Sequence, residues 1–157
     1  MKIAIAGTGY VGLSLSVLLA KHNNVVAYDT DSQKVDKINS GISPIKDDLI
    51  EEYLKNGEIS LSATCDFNHA FVGADFVVVS TPTNYDEKLN HFDTSSVENV
   101  IEKVLSVNND CVIVIKSTVP VGYTKSIREK FGSEKIIFPK SVSHPPTRVR
   151  QARLHIG

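Results

Sequence analysis

Residues 2–12 read KIAIAGTGYVG and residues 25–29 read VVAYD, and together they carry the strongest structural signal in the chain. The first stretch is an apolar strand that runs into glycines at 7, 9 and 12 and then into a segment with helical spacing. The second stretch is another apolar strand, which ends at Asp29. A strand, a G-x-G-x-x-G turn, a helix and a second strand with a terminal acid form the pattern of a dinucleotide-binding βαβ unit.

Each glycine of this turn has a separate physical role. Gly7 allows the tight turn out of the strand, Gly9 lets a pyrophosphate approach the backbone, and Gly12 lets the helix pack close to the sheet. The N–H groups and the positive dipole end of the helix face the phosphates. The alternative is a glycine-rich turn in another α/β fold, but the surrounding strands, helix and acid favour the dinucleotide site.

Asp29 bears on the choice of cofactor. It follows Gly12 at close to the spacing of ~20 residues that the motif requires, so we expect it to accept hydrogen bonds from the adenosine ribose. Its charge repels a 2′-phosphate and no arginine follows it, which favours NAD over NADP. Lys34 is the counterargument, because a lysine can meet that phosphate or can simply be a solvated helix residue.

Composition limits the class of protein. The chain has 157 residues, 41% hydrophobic and 22% charged, which is enough for one soluble domain with a core. The net charge of −1 gives no indication of a nucleic acid or an anionic membrane as partner. The sequence shows no bilayer-spanning run and no signal peptide, so we expect a cytoplasmic protein without membrane association.

Strand and helix patterns alternate along the chain, which predicts an α/β fold of Rossmann-like, doubly wound type: a mostly parallel sheet with helices on both faces. Predicted strands lie at about 2–6, 24–29, 59–61, 74–79, 112–115 and 135–138. Predicted helices lie at about 10–22, from a cap at Asp31 to Gly41, at 47–57, at 66–73, from a cap at Asp93 onward, and at 123–131.

Three loops are expected at the same edge of this sheet: 7–12, 80–84 and 116–122. Ligands of doubly wound sheets bind outside the carboxyl ends of the strands. Serine, threonine and proline are also common in ordinary turns, so either later loop alone is weak evidence. Taken together with the glycine motif, the three loops are predicted to line a cofactor cleft.

The two cysteines form no metal or redox motif. Cys65 and Cys111 are far apart and neither belongs to a C-x-x-C pair. Cys111 enters an apolar strand and is predicted to be a small core residue. No neighbour supplies the base or positive field that a thiolate nucleophile needs, so neither cysteine is expected to be catalytic, and no metal site is predicted.

The motifs GTGYVGL at 7–13, STPT at 80–83 and KSTVPVG at 116–122 resemble the UDP-glucose 6-dehydrogenase family, part of the wider UDP-glucose/GDP-mannose dehydrogenase group. The segment 34–41 also matches, and the resemblance covers residues 1–138. It implies the NAD-binding domain of an oxidoreductase that oxidises UDP-glucose to UDP-glucuronate with two NAD⁺. It also implies a homodimer for the full-length enzyme.

The resemblance also assigns residues. Val11 would touch the cofactor at the glycine turn, Thr83 would lie near the nicotinamide, and Thr118 would sit beside the reacting carbon and help to position a water. Asp29 and Lys34 would hold the adenosine ribose. The full set of cofactor-binding residues expected on this basis is Gly7, Gly9, Tyr10, Val11, Gly12, Asp29, Lys34, Thr81, Pro82, Thr83, Ser117 and Thr118.

The chain departs from the family pattern after Phe138. The family continues with Phe-x-Pro-Glu-Phe-Leu, whereas Lys140 follows Pro139 here and the expected glutamate is not found. Residues 139–157 are basic, contain no acid and show no helical or strand period. They are either a basic arm for nucleic acid or acidic lipid, or a non-native, disordered extension, which we favour.

The family's catalytic cysteine lies in a C-terminal part beyond this resemblance, and neither cysteine here matches its motif. We therefore expect the chain to bind NAD without turnover. Two alternatives stay open: a dehydrogenase for another sugar nucleotide, such as UDP-N-acetylmannosamine or GDP-mannose, and a non-catalytic nucleotide-binding module. A generic Rossmann reductase would need a Tyr-x-x-x-Lys or similar proton relay, which the sequence lacks.

Overall fold

The computed structural model describes residues 1–139, and its main element is a six-stranded sheet formed by short apolar segments. A two-stranded hairpin is attached to it. The strands, in chain order, are β1 (Lys2–Ala6), β2 (Asn24–Tyr28), β3 (Leu61–Thr64), β4 (Phe76–Val79), β5 (Asn84–Asp86), β6 (His91–Asp93), β7 (Val112–Ile115) and β8 (Ile136–Ile137).

The six strands of the main sheet are parallel and lie in the order β3-β2-β1-β4-β7-β8. The chain first moves outward from β1 to β3 and then returns to the other side of β1. The strand order therefore reverses between β1 and β4, where Ala6 pairs with Val79. This is the doubly wound order, and the predicted fold class is confirmed.

The helices are α1 (Tyr10–Ala20), α2 (Ser32–Asn39), α3 (Asp48–Asn56), α4 (Phe67–Phe71), α5 (Ser95–Val107) and α6 (Tyr123–Phe131). Successive residues of a strand point to opposite faces of the sheet, and this alternation separates two layers. Ala4 and Ala6 pack in a cluster with residues of α4, α5 and α6. Ile3 and Ile5 point the other way, where α1 packs, and α2 and α3 pack against Leu13 and Val17 of α1.

Helix boundaries follow local chemistry. The Asp31 carboxylate accepts hydrogen bonds from the Gln33 and Lys34 amides and begins α2, as predicted. Asp47 does the same for α3 through the Ile50 amide. That helix ends at Gly57, whose φ of +66° is the left-handed conformation that favours glycine.

Two predicted boundaries are wrong. The third strand is predicted at 59–61 but spans Leu61–Thr64. The Ser60 amide just before it donates to the Ala20 carbonyl oxygen at the end of α1, and the Ser60 carbonyl oxygen accepts from the Val25 amide of β2. The cap of the long helix was expected at Asp93, but α5 begins after Thr94. Asp93 accepts a hydrogen bond from the Ser95 amide and turns the chain just before the helix.

The hairpin of β5 and β6 was not predicted. Its strands are three residues long and exposed, so they show no apolar alternation. Tyr85 and Phe92 pair across it with ring centroids 4.8 Å apart, and Asn90 takes a φ of +49° in the turn. The hairpin lies in the connection between the end of β4 and α5. It therefore follows one of the two strands between which the strand order reverses.

One face of the sheet is partly uncovered at β4, β7 and β8. Val78, Val114 and Ile137 are aligned in register on this face, and Ile137 is 37% exposed. Phe76 at the start of β4 is 36% exposed. Parallel sheets usually carry cover on both faces, and here the cluster that α1 forms with Val78 and Val114 leaves Phe76 and Ile137 partly exposed.

The basic tail predicted for residues 139–157 lies, apart from Pro139, outside the described residues. Within residues 1–139, none of the helices has the length and apolar character needed to cross a bilayer.

Candidate cofactor cleft

A cleft of about 780 Å³ opens at the carboxyl ends of β1 and β4, where the strand order reverses. All of the residues predicted for the site except Gly12 line it: Gly7, Gly9, Tyr10, Val11, Asp29, Lys34, Thr81, Pro82, Thr83, Ser117 and Thr118. Gly12 is buried directly beneath, in the first turn of α1. The fold thus brings residues of four separate loops to one opening, at the position where doubly wound sheets bind ligands.

The three glycines of the motif have measurably different surroundings. A Cβ on Gly7, whose φ is +99°, would lie 2.6 Å from the Ser80 carbonyl oxygen. A Cβ on Gly12 would lie 1.9 Å from the Gly7 carbonyl oxygen. A Cβ on Gly9 would have no neighbour within 4 Å. Gly7 and Gly12 are therefore required by the protein's own packing, whereas Gly9 leaves open space beside the backbone.

The first turn of α1 has the features of a helix N-terminus that can bind an anion. Gly9 is the N-cap and offers no side chain, and the first turn carries no acidic residue. The side chains of Tyr10 and Val11 are 62% and 52% exposed, so they leave the helix N-terminus accessible. Uncapped N–H groups at the positive end of a helix dipole bind phosphate oxygens.

The Asp29 end of the cleft, which we define as Thr8, Asp29 and Lys34, holds a carboxylate in a fixed position. Asp29 Oδ2 accepts hydrogen bonds from the Thr8 amide at 2.9 Å and the Thr8 hydroxyl at 2.5 Å. Asp29 Oδ1 accepts from the Asp31 amide at 3.0 Å, and Lys34 Nζ lies 4.0 Å from Oδ2.

These contacts determine the charge of Asp29. Partial burial raises the pKa of the carboxyl, but the hydrogen bonds from Thr8 and Asp31 and the charge of Lys34 together outweigh it and hold the pKa below its usual value. Asp29 is therefore ionised at neutral pH. A fixed carboxylate is a good acceptor for ribose hydroxyls and a poor neighbour for a 2′-phosphate.

The Thr118 end of the cleft, which we define as Thr83, Ser117 and Thr118, is built differently. The buried Ser117 hydroxyl donates to the Thr81 carbonyl oxygen at 2.7 Å, and the Thr83 hydroxyl donates to the Thr118 carbonyl oxygen at 2.7 Å. These bonds tie the loop after β4 to the loop after β7. The Thr118 side chain is exposed and its hydroxyl makes no hydrogen bond within residues 1–139.

Sequence reasoning missed several lining residues. Thr8 lies inside the glycine motif, but only the fold reveals its hydrogen bond to Asp29. Helix α5 adds one wall of the cleft with residues at helical spacing: Ser96, Asn99, Val100 and Lys103. That spacing was the available signal. Lys103 Nζ donates to the Tyr28 hydroxyl at 2.9 Å and lies 5.4 Å from the centroid of its ring.

The cleft has a suitable size and donor set for a dinucleotide. Its volume falls within the range of about 300–1,000 Å³ that is usual for ligand pockets. The α1 N-terminus would hold the pyrophosphate, and Asp29 would meet the ribose. Neither cysteine lines it: Cys65 is exposed elsewhere, and Cys111 is buried in the core, where burial raises the pKa of its thiol.

A sequence model of the NAD-binding domain of the UDP-glucose/GDP-mannose dehydrogenase family matches residues 1–153. The chain belongs to this family. Its cofactor is accordingly NAD, and the family expected from the three motifs is confirmed. The match runs past Phe138, beyond the boundary that the motifs predicted.

Individual relatives agree with this membership. The UDP-glucose 6-dehydrogenase of Streptococcus pneumoniae is 54% identical over 138 residues, which cover 88% of this chain and 35% of that protein. Two solved structures each match 88% of this chain and 35% of their own at 27% identity. They are a GDP-mannose dehydrogenase from Pseudomonas aeruginosa, with a TM-score of 0.75, and a UDP-D-ManNAc dehydrogenase from Pyrococcus horikoshii, with a TM-score of 0.77. The chain thus spans about a third of the length of these dehydrogenases.

Proposed function

We propose that this protein is the NAD⁺-binding part of an enzyme that oxidises UDP-glucose to UDP-glucuronate with two NAD⁺. The cleft at the strand reversal, with the fixed Asp29 carboxylate at one end, is the observation that carries the proposal. The named relative with 54% identity supports UDP-glucose as the substrate. We propose residues 1–138 as the NAD-binding domain.

The proposal gives each end of the cleft a role. Asp29 accepts from the adenosine ribose and Lys34 stands beside it, while the amides at the start of α1 hold the pyrophosphate. The nicotinamide half then lies toward Thr83 and Thr118. NAD⁺ held there would supply the hydride acceptor for oxidation of the sugar carbon.

Thr118 is the residue of this chain that we propose for the chemistry. A hydroxyl both donates and accepts, so it can order a water or stabilise a developing oxyanion, although it is not itself a base. Its exposure at the cleft and the absence of a protein partner for its hydroxyl within residues 1–139 support this role. The carbonyl oxygens of Pro82 and Thr81 accept hydrogen bonds from Ser96 and Ser117, and both residues line the same cleft.

We further propose that this chain alone binds NAD⁺ without oxidising UDP-glucose. Thiol chemistry needs a cysteine at the reacting carbon, and the cysteines of this chain are Cys65 and Cys111, neither of which lines the cleft. The carboxylates that line it, Asp29 and Asp31, both lie toward the ribose end. A cytoplasmic location and a homodimer for the whole enzyme belong to the same proposal.

A different sugar nucleotide is the alternative substrate. The two solved relatives named for GDP-mannose and UDP-D-ManNAc share this fold at 27% identity. The higher identity to a UDP-glucose 6-dehydrogenase favours UDP-glucose.

A domain exchange tests the proposal. Residues 1–138 would replace the matching segment of the Streptococcus pneumoniae UDP-glucose 6-dehydrogenase, and NADH formation would be followed with UDP-glucose, GDP-mannose and UDP-N-acetylmannosamine. We expect two NADH for each UDP-glucose oxidised, and none from the 157-residue chain alone. The same chimera with Thr118→Ala should keep NAD⁺ affinity and lose most of its turnover.

Binding of NAD⁺ and of UDP-glucose to the chimera is measured separately from NADH formation, so a loss of binding is distinguished from a loss of turnover. A folded chimera that binds NAD⁺ and UDP-glucose but forms no NADH would contradict the proposed function. NADH formation by the 157-residue chain alone would contradict the claim that it binds without turnover.

A further inference from the structure

Thr8 occupies the variable position between the first two glycines of the turn. Its side chain is fully buried, with a relative exposure of 0%. Its hydroxyl donates to Asp29 Oδ2 at 2.5 Å, and its own amide donates to the same oxygen at 2.9 Å. One residue of the β1 turn therefore clamps one oxygen of the acid at the end of β2.

The clamp determines which part of the carboxylate a ligand can use. An ionised carboxylate has roughly four acceptor positions, two on each oxygen. Thr8 takes both positions of Oδ2, and the Asp31 amide takes one of Oδ1. One acceptor position remains, on Oδ1. Its direction is fixed because the hydrogen bonds to Oδ2 prevent the carboxylate from rotating.

The charged neighbours of Asp29 are few. From α2, Lys34 Nζ approaches Oδ2 to 4.0 Å, while the Asp31 carboxylate is engaged with the Gln33 and Lys34 amides. From α5, the Lys103 ammonium is bonded to the Tyr28 hydroxyl. From β3, the contact with Asp29 is a backbone bond to Thr64. Within residues 1–139, Thr8 is thus the residue whose side chain makes the shortest contact with the Asp29 carboxylate.

We propose that Thr8 is a positioning residue for cofactor selectivity, whose buried hydroxyl aims the last acceptor position of Asp29 at the adenosine ribose of NAD⁺. NADP⁺ carries a phosphate at the 2′ position and gains nothing from that acceptor. The Thr8 hydroxyl therefore strengthens the binding of NAD⁺ and leaves the binding of NADP⁺ almost unchanged. This inference rests on NAD⁺ binding in the cleft, which the proposed function also requires.

The test compares Thr8→Val with Thr8→Ser in the 157-residue chain. Valine keeps the volume and removes the hydroxyl, whereas serine keeps the hydroxyl. At neutral pH we expect Thr8→Val to weaken NAD⁺ binding about fivefold to tenfold in isothermal titration, with NADP⁺ changed less than about twofold. Thr8→Ser should restore the wild-type ratio of the two affinities.

A pH series separates positioning from a merely structural role. NAD⁺ binding uses the ionised form of Asp29, so binding weakens as the pH falls through the pKa of that carboxyl in the unliganded protein. Without the Thr8 hydroxyl this pKa rises, because its ionised form loses a donor. The loss of NAD⁺ binding should therefore begin at a higher pH in Thr8→Val than in wild type and in Thr8→Ser.

Each outcome has one meaning. Equal losses of NAD⁺ and NADP⁺ affinity, or an unchanged pH profile in a folded Thr8→Val protein, would overturn the inference. If Thr8→Val does not fold, Thr8→Ala removes the same hydroxyl without filling its place, and the same two readouts apply. If the wild-type chain binds no NAD⁺, the proposed function fails; if wild type binds and Thr8→Val behaves identically, the inference alone fails.

Discussion

The two ends of the cleft use the same kinds of side chain for opposite purposes. At the Asp29 end, a threonine hydroxyl bonds a charged side chain and prepares it for a ligand. At the Thr118 end, the hydroxyls of Ser117 and Thr83 bond backbone carbonyls and hold two loops together. The first end holds the carboxylate at which we propose the ribose binds, and the second end holds two loops together around the exposed hydroxyl of Thr118.

The two ends of the cleft also differ in the titratable groups that could take part in acid–base chemistry. The carboxylates lining the cleft are Asp29 and its neighbour Asp31, and within residues 1–139 Lys116 is the titratable lining residue next to the Thr118 end. A hydroxyl without a neighbouring base orders water but does not remove a proton efficiently. The described part of the chain is therefore suited to holding NAD⁺ and supplies little acid–base chemistry.

The largest expected effect falls on the turn that both ends share. Gly12→Ala places a Cβ 1.9 Å from the Gly7 carbonyl oxygen and pushes α1 away from the sheet. We expect the free energy of unfolding, measured with urea, to fall by about 3 kcal/mol. Gly9→Ala is the matched control: its Cβ meets nothing within 4 Å, so stability should change by less than about 1 kcal/mol while NAD⁺ binding weakens. Equal destabilisation by the two variants would contradict this division of roles.

The Asp29 end is tested next by Asp29→Asn. The variant removes the charge that we propose meets the ribose, and we expect NAD⁺ affinity to fall about tenfold to hundredfold in isothermal titration, with NADP⁺ affinity unchanged or improved. Asp36→Asn removes the same charge from an exposed position on α2, outside the cleft, and should change neither affinity. A loss shared by both variants would mean that net charge, and not the placement of Asp29, controls binding.

At the Thr118 end, two adjacent hydroxyls should behave differently. Ser117→Ala removes the bond that holds the Thr81 carbonyl, so we expect thermal and urea unfolding to show a loss of about 1 kcal/mol. Thr118→Ala removes an exposed hydroxyl without a protein partner within residues 1–139, and stability should stay within about 0.5 kcal/mol of wild type. A larger loss of stability in Thr118→Ala than in Ser117→Ala would contradict the different roles given to these two hydroxyls.

The smallest expected effect is a pH dependence of stability. The folded pKa of Asp29 lies below the ordinary value of an aspartate, so its ionised form stabilises the fold above that ordinary value. The contribution is complete at neutral pH and disappears as the pH falls through the folded pKa. The difference in unfolding free energy between wild type and Asp29→Asn should therefore shrink below about pH 4. A difference that stays constant from neutral pH to the acid limit would contradict the role of its charge.

The sequence was most informative where structure is local. The glycine turn, the cap at Asp31 and the strands predicted at 74–79 and 112–115 follow from residue types at short spacing, and the structure has these strands at Phe76–Val79 and Val112–Ile115. The loops 80–84 and 116–122 meet because their strands are neighbours in a parallel sheet, which the doubly wound pattern already implied.

The rest depends on contacts between distant segments. The hydrogen bond between Thr8 and Asp29 joins the ends of two strands. The sequence alone does not show whether a threonine is buried or exposed. The helical spacing of the α5 residues is visible in the sequence, but which face of α5 lines the cleft depends on the elements that pack against it. The β5–β6 hairpin is too short and too polar to show a strand pattern, and its register depends on the Tyr85–Phe92 pair.

Titration of the 157-residue chain with NAD⁺ and, in parallel, with NADP⁺, followed by the thermal unfolding midpoint, tests the central claim most directly. A ligand that binds only the folded state raises the midpoint in a saturable way. The account predicts a saturable rise with NAD⁺ and little or none with NADP⁺. Equal shifts with both dinucleotides would contradict the role of Asp29, and a folded chain whose midpoint moves with neither would contradict the assignment of the cleft.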